Sequence, residues 1–245
     1  MVRAAALLAA ALLLVAYSLL AHRLPRSGDW WDVAVLAFGV IPLMFALVWL
    51  ALPVREVGPL WLGLAAGGFV VLAVLCSLAD LQLAANFMKL AAATLLGWWF
   101  LSFFEESWWV VLIALLIVPV DLYSVARGPT REITENRPEV FDALSVFMRI
   151  PGESGTAQLG LPDVLFFALF LGACVRFGLR AGPTWLAMTA SFGGTLALAV
   201  ALGEAGIAAL PLLSLAFVLV NGDLLWRQLR GRRGLGGPEA APPSD

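Results

Sequence analysis

Charge is what this chain has least of. Only 13% of its 245 residues are charged, where soluble globular domains carry roughly 25%. The mean hydropathy is +0.93. So few polar groups cannot solvate the surface of a globule, which excludes a water-soluble fold. A net charge of −2 without a broad basic stripe excludes nucleic acid as a partner. The two cysteines, Cys76 and Cys174, each lie within an apolar segment and exclude a disulfide framework. With His22 as the single histidine, no Cys/His spacing suits a metal, and no motif calls for a cofactor. An internal repeat is also lacking, which argues against an inverted-repeat transporter.

What the chain has instead is long apolar runs. Eight candidate spans of roughly 20 residues can be marked: Ala4–Ala21, Val33–Val54, Val57–Ala79, Leu81–Phe104, Ser107–Ala126, Leu161–Leu179, Ala181–Gly203 and Ala205–Trp226. They predict an all-α, polytopic membrane helix bundle. Trp30, Trp31, Trp49, Trp61, Trp98, Trp99, Trp108, Trp109, Trp185 and Trp226 fall near the proposed ends, as interfacial belts require. The first run is long for a signal segment, and Leu19-Leu20-Ala21 is a poor cleavage site, so a retained helix is expected. The tail from Gly231 to Asp245, rich in Gly, Pro and Ala, reads as disordered. The chain divides into scaffold helices over 1–106, a core over 107–226 and a basic tail over 227–245.

The connection from Arg127 to Gly160 differs from the other, short ones. It mixes charges with an apolar stretch, Phe141–Ile150, followed by PGESGT. It reads either as an amphipathic interfacial segment or as a loop that gates a site between the flanking helices.

Those flanking helices each carry an aspartate, Asp121 in VPVDLYSVARGP and Asp163 in LGLPDVLFFALF. A carboxylate in a lipid-embedded helix costs about 2.5–3.5 kcal/mol on insertion scales, so it faces a protein interior and has a task there. Alternation of the spans puts both on one membrane face. Asp121 lies near the end of its helix, the chain loops and re-enters on the same side with Asp163 in its first turn, and two further crossings bring Pro211 back to that face. Two carboxylates sharing one proton can hydrolyse a peptide bond. The ionised member activates a water, and the protonated one polarises the carbonyl and protonates the leaving nitrogen. A helix N-terminus favours the carboxylate form, which predicts Asp163 as base and Asp121, in a C-terminal half, as proton donor.

Here the residues meet a known family. Asp121-Leu122-Tyr123-Ser124-Val125 followed by Gly128-Pro129 resembles the first catalytic segment of presenilin. Leu159-Gly160-Leu161-Pro162-Asp163 resembles the GxGD segment of the presenilin and signal peptide peptidase family. Leu210-Pro211-Leu212-Leu213 resembles its PAL motif. Order and spacing agree over roughly 107–226. The resemblance implies a presenilin-like intramembrane aspartyl protease with Asp121 and Asp163 as the catalytic pair and no metal or cofactor. Its substrates would be transmembrane proteins or peptides within the lipid bilayer. Tyr123, Gly160, Leu161, Pro162, Pro211, Leu212 and Leu213 would border the substrate. Pro162 stands where the family has Gly, Val120 where it has Tyr, and the third motif reads Pro-Leu-Leu. Proline at Pro162 removes a donor and the backbone freedom of glycine beside the catalytic water. The family has nine spans, against eight here.

An unwound substrate also needs a partner for its backbone, which lipid cannot supply. The Gln158–Leu161 approach and Pro211–Leu213 are the candidates for strand-like pairing. Two rival readings use the same residues: a transporter or channel with the aspartates as a proton or cation relay, and an inactive family member serving as a scaffold. Asp80, Glu105, Glu106 and Glu204 mark helix ends and read as solvated, and Lys89 and Arg176 as snorkelling cations without an evident partner. Asn221 and Asp223 could line a polar cavity. Gly67-Gly68 and Gly193-Gly194 read as close helix packing. Eight arginines on the side of the termini against six on the other leave orientation open. Ala- and Leu-rich helices with short loops suggest a prokaryotic plasma membrane.

Overall fold

The computed structural model describes residues 2–126, 138–203 and 207–235. Within them the chain is a helical bundle with one small hairpin. Helix α1 is Val2–Leu20. A nearly continuous helical rod follows, made of α2 (Asp29–Val35), a wider π-turn (Leu36–Val40), α3 (Ile41–Ala51) and a tight turn (Leu52–Val57). Then come α4 (Pro59–Leu78), α5 (Gln82–Leu101), α6 (Ser107–Ala126) and the short α7 (Pro138–Ala143). Strands β1 (Ser145–Arg149) and β2 (Thr156–Gly160) precede α8 (Leu161–Arg176), α9 (Ala181–Leu202) and α10 (Leu210–Leu235).

Every expected span is therefore occupied by helix. Six of the helical segments are long and apolar enough to cross a membrane: Val2–Arg23, Asp29–Val57, Pro59–Leu78, Ser107–Val125, Ala181–Leu202 and Leu210–Arg230. The protein is accordingly described as a multi-pass helical membrane protein. The other two fall short for different reasons. Helix α5 carries Gln82, Asn86 and Lys89, and α8 has only 16 residues.

Helix α8 is the axis of the bundle. Val164, Phe167 and every residue from Ala168 to Cys174 are buried, so apolar side chains meet protein all round it. It packs on α5, α6, α9 and α10. The α5–α8 contact is the closest. A Cβ at Gly97 would overlap the carbonyl oxygen of Leu165, and Trp98 donates its indole N–H to the Ala168 carbonyl at 3.0 Å. Phe170 and Phe217 stack at 4.7 Å between α8 and α10. Gly193 meets Ala37 across the π-turn, as expected of close packing, but Gly67, Gly68 and Gly194 have open space around them.

Several expectations need correction. Trp98 is 2% exposed and is a core anchor, not a belt residue. Lys89 does not snorkel: it is buried, and its ammonium donates to the carbonyls of Asp142 and Ser145. Arg176 bonds the Leu101 carbonyl. Asn221 and Asp223 have partners of their own and line neither of the two cavities described below. Asn221 donates to Thr184 Oγ1 and accepts from the Arg180 N–H, while Asp223 pairs with the Arg180 guanidinium at 2.6 and 2.7 Å. Together they tie the α8–α9 connection to α10. The Phe141–Ile150 stretch, open in sequence to reading as an amphipathic interfacial segment, holds the end of α7 and the whole of β1. The last helix starts at Leu210 and continues to Leu235, into the tail expected to be disordered. Glu204, the Gly128-Pro129 part of the first motif and the charges from Arg127 to Arg137 lie outside the described residues.

The α5–α8 contact leaves no room for a side chain at position 97. Replacing Gly97 by Ala is expected to destabilise the bundle by about 1–3 kcal/mol, read as a lowered Tm in detergent.

Candidate active site

Helix α6 buries a narrow stripe, Val110, Ala114 and Ile117, against α10. The next position on that stripe at helical spacing is Asp121, so its carboxylate faces protein and not lipid. Leu210, at the start of α10, donates its backbone N–H to Asp121 Oδ2 at 3.2 Å. At the opposite end of the same two helices Ser107 donates its hydroxyl to Gln228 Oε1 at 2.6 Å. The pairing of both ends fixes α6 and α10 as antiparallel neighbours, as alternation requires.

Asp163 reaches the same region from α8. Gly160 is the residue before that helix, with extended backbone (φ −62°, ψ 141°), and Leu161 and Pro162 form its first turn. Proline is accommodated there because no intrahelical partner awaits its nitrogen. The third helical residue, Asp163, lies back over Gly160: a Cβ on Gly160 would stand 3.1 Å from Asp163 Oδ2. Helices α6, α8 and α10 pack on one another, so Asp163 in the first turn of α8 shares one end of the bundle with Asp121 and the start of α10.

Each carboxylate thus stands at a helix start, Asp163 in the first turn of α8 and Asp121 on the Leu210 N–H that opens α10. The helix-dipole asymmetry expected from Asp121's place on its own helix is offset by the N-terminus of α10 beside it.

The hairpin leads straight into this site. β1 and β2 pair antiparallel, with Ser145 opposite Gly160, Phe147 opposite Gln158 and Arg149 opposite Thr156. The Phe147 backbone bonds the Asn86 side chain through both its N–H and its C=O. Its hydrogen-bonding groups therefore point away from β2, and the strand-to-strand bonds belong to the alternate pairs, Val146–Leu159 and Met148–Ala157. Leu161 N–H to Leu144 O, at 2.8 Å, continues that ladder. On β2 it follows that Thr156, Gln158 and Gly160 direct their backbone groups to the outer edge. Among the described residues no strand pairs with that edge, and at Gly160 it ends beside the Asp163 carboxylate.

The sequence-predicted substrate residues divide. Gly160, Leu161 and Pro162 stand at the site, with Pro162 exposed. Pro211 and Leu212 are half-buried next to the Leu210 N–H that holds Asp121, whereas Leu213 is fully buried in the core. Tyr123 is not brought to the site. Two residues beyond Asp121 puts it on another face of α6, where it is 65% exposed. The sequence reading missed Asn86 and gave Lys89 only a snorkelling role; two polar residues three apart within one apolar span were the available signal. No group of His, Cys, Asp and Glu among the described residues is arranged to hold a metal ion. A cavity of about 40 Å³ lies between α1, α5 and β1, and another of about 310 Å³ lies at the opposite end beside Glu105, Ser107 and Gln228. Neither is lined by an aspartate. Comparison with protein-family models and with curated proteins finds no match to the chain.

Removing the Asp121 side chain frees the first amide of α10. Asp121→Ala is expected to speed hydrogen exchange at the Leu210 amide about fivefold, the loss of a cap worth roughly 1 kcal/mol. Asp121→Asn, which keeps an accepting oxygen, should leave it near its original rate.

Proposed function

We propose that the protein is a presenilin-like intramembrane aspartyl protease, hydrolysing peptide bonds within transmembrane segments by general acid–base catalysis at Asp121 and Asp163. The observation that carries this reading is the convergence of α6, α8 and α10, which brings Asp121 and Asp163 to one end of the bundle, on the face entered through the hairpin. A structural pair of aspartates would be expected to spend its oxygens on cations. Among the described contacts neither does: Asp121 accepts one main-chain N–H, from Leu210, which leaves oxygens for a water and a scissile carbonyl.

In this reading all eight long helices cross the bilayer, with α5 and α8 shielded from lipid by the others, and both termini lie on the side opposite the site. The host membrane is a prokaryotic plasma membrane. The pair shares one proton, and the ionised member activates the attacking water while its neighbour polarises the carbonyl and later protonates the leaving nitrogen. Each carboxylate lies at a helix N-terminus, so the roles are set by which carboxylate the substrate carbonyl approaches. Asp163 remains the assigned base, because it adjoins the strand edge along which a substrate would lie.

A helical substrate must unwind to expose its carbonyl, and its freed backbone groups need partners. The outer edge of β2 supplies them at Gln158 and Gly160, next to Asp163. Pro162, which stands where the family has glycine, leaves this edge intact because it lies in the first turn of α8, beyond the end of β2. That feature favours an active enzyme over a scaffold.

Purified protein in detergent is expected to cleave a transmembrane peptide, and Asp121→Asn and Asp163→Asn should each abolish cleavage. Aspartate-dependent ion flux in liposomes without cleavage would favour the transporter. Gln158→Pro removes the one N–H that residue points outward and spares the β1–β2 bonds, so cleavage is expected to fall about fivefold or more, as loss of one backbone hydrogen bond implies. Undiminished cleavage by that variant would exclude strand pairing at β2.

A further inference from the structure

Strand β1 has two edges, and both are filled. Its inner edge pairs with β2. Its outer edge faces α1 and α5, where side chains stand in for a third strand. The Asn86 amide donates to the Phe147 carbonyl and accepts from the Phe147 N–H, each at 3.2 Å. That two-way exchange is what a hydrogen-bonded strand residue would make. To one side, Lys89 Nζ donates to the carbonyls of Ser145 (3.1 Å) and Asp142 (2.7 Å). To the other, the Tyr17 hydroxyl donates to the Arg149 carbonyl at 2.6 Å. Ser145, Phe147 and Arg149 are the alternate positions whose backbone points this way, so each outward carbonyl of β1 has a partner. The turn is fastened as well: Gly152 N–H bonds Ala21 O at 2.8 Å, and Arg26 Nε bonds Gly152 O at 2.6 Å.

The Lys89 ammonium is expensive to bury, and in this structure it bonds main-chain carbonyls and lies 5.2 Å from the Phe147 ring centroid. A leucine would fill the same space without that cost. What the lysine adds is attachment of the hairpin. Among the described residues, β2 by contrast has no side-chain cover over its outer edge at Gln158.

We propose that Asn86 and Lys89 are positioning residues: they seal the outer edge of β1 and keep the hairpin docked before substrate arrives, so that β2 is the one edge open to a substrate strand. This rests on the protease reading above. Docking in advance removes the cost of ordering the hairpin from substrate binding. Such a contribution is shared by the bound ground state and the transition state, so it acts on KM and spares kcat.

The test compares Asn86→Leu and Lys89→Met with the unaltered chain in detergent, using a transmembrane peptide for kinetics and NMR for amide exchange. Asn86→Leu is expected to speed exchange at Phe147 about fivefold or more, and each variant to raise KM about fivefold with kcat within about twofold, as loss of roughly one hydrogen bond implies. A merely structural role would reduce the active fraction, lowering kcat at unchanged KM. That result, or an unchanged Phe147 amide, overturns the proposal. Should Asn86→Leu not fold, Tyr17→Phe deletes one hydroxyl at the end of β1 and is expected to raise KM about two- to fivefold; an unchanged KM counts equally against the proposal. If the unaltered chain cleaves nothing, the protease reading fails and this role with it. If it cleaves and KM ignores all three positions, this inference alone fails.

Discussion

Lipid offers no hydrogen bonds, so every polar group this chain buries must find its partner inside the protein. The rest of the architecture depends on that constraint. It pairs the Trp98 indole with the Ala168 carbonyl across the tightest helix contact, and turns Asn221 toward Thr184 and the Arg180 N–H. It also draws a lysine in the middle of an apolar helix toward the main chain of a hairpin. The same rule makes the two aspartates legible as a site. Asp121 accepts the first amide of α10, which is enough to hold it in place without exhausting its oxygens.

The hairpin shows the constraint acting on secondary structure. A two-stranded ribbon is marginal alone in water, and at this position it has protein behind it. Val146, Met148 and Leu159 are buried, while helix side chains close the far edge of the first strand. The apolar side of the ribbon is thus bound to the bundle and its remaining hydrogen-bonding capacity is concentrated on one edge. Because β2 passes directly into α8 through Gly160, that edge and the Asp163 carboxylate move together.

Hydropathy made the helices legible, since runs of twenty apolar residues admit few other fates, and counting crossings placed Asp121 and Asp163 on one face. The contacts Asp121–Leu210 at one end and Ser107–Gln228 at the other agree with that count. Burial around each helix was less legible. Tyr123 sits inside the motif but off the Val110–Ala114–Ile117 stripe, and Trp98 looks interfacial in sequence yet lies in the core, because helical phase relative to neighbours is a tertiary property. The hairpin escaped notice for a related reason. SVFMR and TAQLG flank a PGESG turn, but the preceding charges made the segment read as an amphipathic surface helix. The partners of Lys89 and Asn86 lie more than fifty residues away, beyond the reach of local pattern.

The 16 residues of α8 have a consequence of depth. At 1.5 Å per residue the helix rises about 24 Å, while the hydrocarbon layer of a bilayer is about 30 Å thick. A helix anchored at its Arg176 end therefore begins below the opposite surface, and Asp163 lies in its first turn. In the proposed protease, the hairpin and the ends of α6 and α10 would make up the missing height around the carboxylates, and water would descend between them, so that the protein sets how wet the membrane is at this one point.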